Sequence, residues 1–207
     1  AVCPVSECRA RMQHSELLRH LIAEHMVETP GVCFGLKLRK VASGERTLLP
    51  LVYEQLPLEQ DHCLCVLNWA GDGSDDLMTP QCHLPDTHRM LSHHLPVLVM
   101  ICKTSWRTLF PSAQGDEIAG NLYVIWLVAP PTRRPIMCQL GFLNRELKCS
   151  LRVRRRVRDF ATPLHINKYL LGVDHSHLTL SEQQVRQMCC HNDNGCFLEV
   201  VVLGDVD

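Results

Sequence analysis

The chain has 207 residues, is 46% hydrophobic, and carries a formal charge of −1 with an isoelectric point near 6.9, so it holds enough apolar material for one sizeable core and a small appendage. So balanced a charge excludes the global basic field of a typical nucleic-acid binder, and any electrostatic role must be local. It has no signal-like amino terminus, no run of 18 apolar residues and no Asn-x-Ser/Thr sequon; nothing marks it as secreted or membrane-spanning, and an intracellular protein of cytoplasm or nucleus is expected.

Twelve cysteines then read as buried apolar groups or metal ligands ahead of disulfides, because intracellular thiols stay reduced. Numbering that opens on Ala1 instead of Met suggests a piece excised from a longer protein. The first element is AVCPVSECRARMQHSELLRHLIAEH, in which Cys3, Cys8, His20 and His25 follow the pattern C-x4-C-x11-H-x4-H. A turn between the cysteines lets two thiolates face one ion, and a helix capped by Ser15 carries both imidazoles on one side. Leu17, Leu18 and Leu21 supply the apolar face under the metal, and Met12 stands nearest to the usual apolar ring. His20 and His25 are five positions apart, so the helix must loosen in its last turn before both reach one Zn2+. Four protein ligands leave no open position, which makes the ion structural. The alternative is incidental histidines beside two thiols; His14 is expected to be a solvated side chain.

Beyond residue 29 the pattern becomes extended. Candidate strands are Val32–Val41, Thr47–Glu54, His62–Trp69, Pro96–Trp106, Asn121–Ala129, Ile136–Leu143, Lys148–Arg158 and Phe197–Leu203, separated by turn-rich stretches. About eight such strands with few helices predict an antiparallel β-sandwich over residues 30–207, preceded by a C2H2-type zinc finger over residues 1–29. Cys63 and Cys65 alternate onto one strand face and read as core thiols, as do Cys189, Cys190 and Cys196. Ala70–His94 is the longest irregular stretch and is expected to be a mobile loop. Its Cys82, His83, His88, His93 and His94 offer a second ion site or a thiolate with an imidazole base, or else plain surface groups.

In Lys148–Arg158, alternation sets Arg152, Arg154, Arg156 and Arg158 on one outward ladder, with Leu151, Val153 and Val157 inward and Arg155 near an edge or bulge. The ladder suits an acidic or phosphorylated peptide, or a nucleic-acid backbone; alternatively it is a solvated face. Leu180–His191 reads as a short helix capped by Ser181. No G-x-S-x-G, phosphate-binding glycine loop, H-E-x-x-H or dinucleotide fingerprint occurs, so a non-enzymatic role is expected.

The ending LTLSEQQVRQMCCHNDNGCFLEVVVL, the strand SHHLPVLVMICK and the hairpin order in NLYVIWLVAPPTRRPIMCQLGFLNRELKCSLRVR resemble the substrate-binding region of the seven in absentia family of ubiquitin ligases, a cysteine-histidine finger running into a TRAF-type β-sandwich. The likeness covers the finger and about Leu91–Leu203. It implies a protein-interaction adaptor that chooses a partner for ubiquitin ligation and pairs as a homodimer, for which Phe197–Leu203 is the candidate shared edge. The family's Asp-Trp-Val peptide-pocket segment is replaced here by Gln81-Cys82-His83-Leu84, so no peptide-binding residue carries over, and no RING spacing occurs in the chain. The rival reading is a nucleic-acid-associated protein using the finger and the arginine ladder together.

Overall fold

Along the run Leu95–Ser105, Val97, Val99 and Ile101 face one buried cluster, and the intervening Leu98, Met100 and Cys102 face another. A strand covered on both faces reads as a continuous apolar run, and this one sits at the heart of the molecule. The computed structural model describes residues 1–5, 8–26, 36–71, 80–109, 120–162, 176–188 and 196–204. Their strands are β1 (Leu38–Val41), β2 (Arg46–Leu51), β3 (Asp61–Trp69), β4 (Leu95–Ser105), β5 (Asn121–Ala129), β6 (Met137–Leu143), β7 (Cys149–Arg156), β8 (Arg158–Asp159), β9 (His177–Ser181) and β10 (Cys196–Gly204). Short helices are α1 (Leu17–His20), α2 (Trp106–Leu109) and α3 (Glu182–Met188).

The protein is mostly β. One sheet runs β1-β3-β4-β5-β8 with β9 also on β5, and the other runs β2-β10-β6-β7. The inward residues of β3, β4, β5 and β9 meet Cys138, Leu140 and Phe142 of β6 and Leu198, Val200 and Val202 of β10 in a single core. Leu178, Leu180 and Val185 of the β9–α3 segment close one side of it. No helix among the described residues is long and apolar enough to cross a membrane.

Several expectations are corrected by this arrangement. The six-stranded sheet is mixed, with β1 on β3 and β5 on β8 in parallel, whereas the four-stranded sheet is antiparallel throughout as expected. Strand direction follows from the connections, which side-chain alternation does not report. Within Thr47–Glu54 the strand ends at Leu51, and Tyr53–Gln55 turns as a 3-10 helix with Tyr53 buried. The Lys148–Arg158 strand is two, because the chain leaves one sheet at Val157 and joins the other at Arg158. The stretch assigned to a helix from Leu180 is still strand through Ser181, paired to β5; the helix starts at Glu182, where the Ser181 hydroxyl accepts the Gln184 amide at 3.2 Å.

Cys63 and Cys65 lie on opposite faces, since a bulge between them breaks the alternation: Cys65 enters the shared core and Cys63 packs on the other side of the sheet. Phe197–Leu203 is no edge, because β10 is flanked by β2 and β6. In the irregular stretch, residues 80–94 are placed, with a 3-10 helix at Asp86–Leu91 and Gln81 buried. Residues 32–35 of the first candidate strand, residues 72–79, and Cys189 and Cys190 fall outside the described residues.

Candidate metal centre

The amino-terminal segment turns back on itself. Val2 bridges Arg11 in antiparallel fashion, the Cys3 amide donates to the Ala10 carbonyl at 2.9 Å, and the Cys8 amide donates to the Val5 carbonyl at 3.2 Å. This turn presents both thiols to one side. The helical part opens as a 3-10 turn at His14–Glu16, continues as α1 and ends as a π turn at Leu21–His25. Its cap is Gln13, not Ser15: Gln13 and Glu16 form a capping box in which the Gln13 amide donates to Glu16 Oε2 at 3.2 Å. Ser15 lies inside the first turn, buried, and its carbonyl accepts the Cys82 amide at 2.7 Å.

A π turn repeats at i→i+5, which superposes positions five apart as an α turn cannot. His20 and His25 therefore meet, with Nε2 atoms 3.2 Å apart. Cys8 Sγ is 3.3 Å from His20 Nε2, Cys3 Sγ is 3.5 Å from His25 Nε2, and all four ligand atoms lie within 4.8 Å of one another. A tetrahedral ion with metal–nitrogen bonds of ~2.0 Å and metal–sulfur bonds of ~2.3 Å requires edges of ~3.3 Å between nitrogens and ~3.5 Å between nitrogen and sulfur. The three closest contacts match this within a few tenths of an ångström, and the four residues together could hold a metal ion.

Electrostatics agree with the geometry. Burial lowers the pKa of both imidazoles, aided at His25 by the neighbouring His20, so the rings are held in the neutral form that coordinates. Burial also pushes the Cys3 thiol up to about 12, with a lowering from a backbone hydrogen bond at Val5 and a further rise from Cys8. A dication reverses that penalty by pairing with the thiolate.

The centre is fastened to the larger body. Leu17 and Leu21, fully buried, join Val66, Leu98, Met100, Val124, Trp126 and Phe160 in the cluster on the outer face of the six-stranded sheet, with Met12 packed against it. His14, expected in solvent, instead sets its ring edge-on to Phe160 at 5.1 Å between centroids. Gln81, 3% exposed, accepts the Leu18 amide at 2.9 Å through Oε1 and donates through Nε2 to the His14 carbonyl at 3.0 Å. Nothing about a lone glutamine in a polar loop signals that it clamps a helix 63 residues away. Cys63, half-buried near Cys3, has its thiol pushed up by desolvation and then by both neighbouring cysteines, but it is not among the four converging candidate ligands.

The other candidates separate. Cys82 is exposed with Sγ 3.5 Å from the Pro80 carbonyl, His88 Nδ1 contacts Thr87 Oγ1 at 2.9 Å, and the cluster Cys82, His83, His88, His93 and His94 forms no metal-ligating group among the described residues. In the arginine row, Arg152, Arg154 and Arg156 are exposed on edge strand β7. Arg152 is committed to Glu199, a fully buried carboxylate that it reaches at 2.9 Å and that Arg46 also contacts. Arg155 points inward at the edge and donates through Nε to the His177 carbonyl of β9, tying one sheet to the other. Arg158 leaves the ladder altogether: it lies on β8 in the six-stranded sheet and donates to Ser176 Oγ at 2.7 Å. Val157 keeps the alternation in phase, so the change of sheet is invisible in the residue pattern.

No curated protein matches the chain. Residues 2–192, from the cysteine turn to beyond α3, match the family model described as Domain of unknown function (DUF4729), and the chain belongs to that family.

Proposed function

We propose that the chain is a non-enzymatic protein-interaction module in which a structural Zn2+ on Cys3, Cys8, His20 and His25 fastens a finger to a TRAF-like β-sandwich. The observation that carries this reading is the closed donor set: two thiols and two imidazoles fill a tetrahedron, leaving no position for a substrate or an activated water. The ion then serves as a clamp, in line with a helix whose apolar residues are buried on a sheet. Two sheets around one core, with the finger running into them, support the likeness to the substrate-binding region of seven in absentia ligases. On that likeness the module selects a protein partner for ubiquitin ligation inside the cell. Burial of Leu17 and Leu21 opposes the nucleic-acid reading, because a helix packed along its apolar face is not free to enter a groove.

Elemental analysis of protein purified without chelator tests the ion, with one zinc per chain expected and loss of that zinc in Cys8→Ser. Cobalt substitution should give the visible spectrum of a tetrahedral site. Zinc below half an equivalent, or unchanged zinc in the serine variant, overturns the clamp. Fluorescence anisotropy with a random-sequence duplex tests the role: tight binding whose logarithm falls with log salt at roughly −0.9 per phosphate contacted would replace the adaptor by a nucleic-acid binder.

A further inference from the structure

Where the chain crosses from β7 to β8 it forms, with the β5–β6 connection, an open surface pocket of about 340 Å³. Arg133, Arg134, Arg156 and Arg158 line it, against a single acid, Asp159. Both walls are fixed in advance. One is the connection Ala129–Ile136, in which Pro130, Pro131 and Pro135 restrict φ and Thr132 Oγ1 donates to the Arg134 carbonyl at 2.6 Å. The other is held at both ends, by the Val157 amide donating to the Ile136 carbonyl at 2.8 Å and the Phe160 amide donating to the Ala129 carbonyl at 3.0 Å.

The charges are not balanced within the pocket. Asp159 Oδ1 accepts the Ala161 amide at 2.9 Å and holds its own turn. Arg158 is anchored through Ser176. The side chains of Arg133 and Arg156 have no ion-pair or hydrogen-bond partner among the described residues. Four guanidinium groups drawn to one pocket repel one another, and an anion placed among them removes that repulsion. The planar fork of arginine pairs two donors with two oxygens of a phosphate, and a phosphate monoester offers three strong acceptor oxygens and a charge of about −1.5 to −2 at neutral pH. A volume near the low end of ligand sites suits one such group with the few atoms that carry it, not an extended ligand.

We infer that this pocket binds a phosphate monoester, carried as a phosphorylated side chain by the partner of the interaction module; that source rests on the function proposed above, whereas the phosphate chemistry does not. The basic row on the outer face is thereby replaced by the pocket beside it, since Arg152 is occupied by Glu199.

The test is a titration of the isotope-labelled, zinc-loaded chain, followed by amide NMR at constant ionic strength. The probes are a capped Gly-phosphoserine-Gly peptide, its unphosphorylated twin, inorganic phosphate and sulfate. Saturable shifts at residues 132–134 and 156–159 are expected with the phosphopeptide and with phosphate, and none with the unphosphorylated peptide. Affinity should fall at least tenfold in the double variant Arg133→Gln/Arg156→Gln and stay within twofold in Arg154→Gln, which lies on the same strand outside the pocket. Binding should weaken several-fold from pH 7.5 to 5.5 as the phosphate takes up its second proton, with a pKa of about 6, while arginine stays charged. A phosphopeptide bound tighter than inorganic phosphate identifies the side-chain source; equal affinity identifies a free phosphate ester. Absence of saturable shifts, equal loss in Arg154→Gln, or sulfate bound as tightly as phosphate at both pH values overturns the site. The double variant removes no side-chain contact among the described residues, and its unperturbed spectrum controls for folding. A silent titration leaves the zinc and duplex tests, and the adaptor reading, unaffected.

Discussion

At Gly141 a β-carbon would lie 2.7 Å from Glu199 Oε2 and 3.2 Å from Glu199 Cβ. Gly141 stands directly between Glu199 on β10 and Arg152 on β7 in the sheet register, so the missing side chain is the channel through which a buried carboxylate reaches its guanidinium. Gly141→Ala should cost about 1–3 kcal/mol in urea unfolding, because the Glu199 side chain is held from both flanks and cannot swing away cheaply. An unchanged midpoint would show that the carboxylate has room to move. The Cys3 thiol makes a second prediction at this scale. In the metal-free protein its pKa stands at about 12, so it is protonated at neutral pH and must lose that proton to bind an ion, whereas the lowered His20 and His25 have none to lose. Metal affinity should therefore rise with pH between 6.5 and 8.5, by up to tenfold per unit for each thiol proton released. Calorimetry in buffers of different ionisation heat should count at least one proton per ion.

The finger is the element whose fold and attachment are most separable. Leu21 sits in the π turn between the two histidine ligands and is fully buried against the sheet. Leu21→Ala should lower stability by about 2–5 kcal/mol while leaving zinc stoichiometry intact, because the four ligands do not depend on it. Loss of zinc in that variant would mean that docking, not the ligand set, shapes the site. The difference explains what could be read from the residues. The four candidate ligands span only Cys3 to His25, so their spacing alone pointed to their convergence, and the five-residue interval even foretold the loosened turn. Gln81 joins the finger through a contact across 63 residues, and nothing local reports such a contact. Seven of the eight candidate strands overlap one observed strand each, and the eighth spans two, because alternation and flanking turns are local as well. The strand His177–Ser181 was missed because five residues hold too few periods to separate strand from helix. Arg158 was misplaced because a chain can change sheets without changing its inward and outward order.

At the scale of the whole molecule, the six-stranded sheet is buried by the second sheet on one face and by the finger on the other. Removing the ion should therefore do more than unfold 25 residues. Chelation should expose Leu98, Met100, Val124, Trp126 and Val128 together, seen as binding of a hydrophobic dye and as association at micromolar concentration; a chelated protein that stays monomeric and dye-negative would show that the finger remains docked. The position of β10 has a different reach. It lies between β2 and β6, and its Glu199 is 153 residues from its Arg46 partner. At about 5–20 residues per second on the ribosome, β2 waits roughly 8–30 s for the strand that completes it. The finger's ligands, by contrast, are all present within the first 25 residues. A chain stopped before Cys196 should keep the cobalt spectrum of the finger but lose cooperative unfolding of the rest. During synthesis the four candidate metal ligands therefore all emerge ahead of β10, so a metal can be captured while β2 still lacks the strand that completes its sheet.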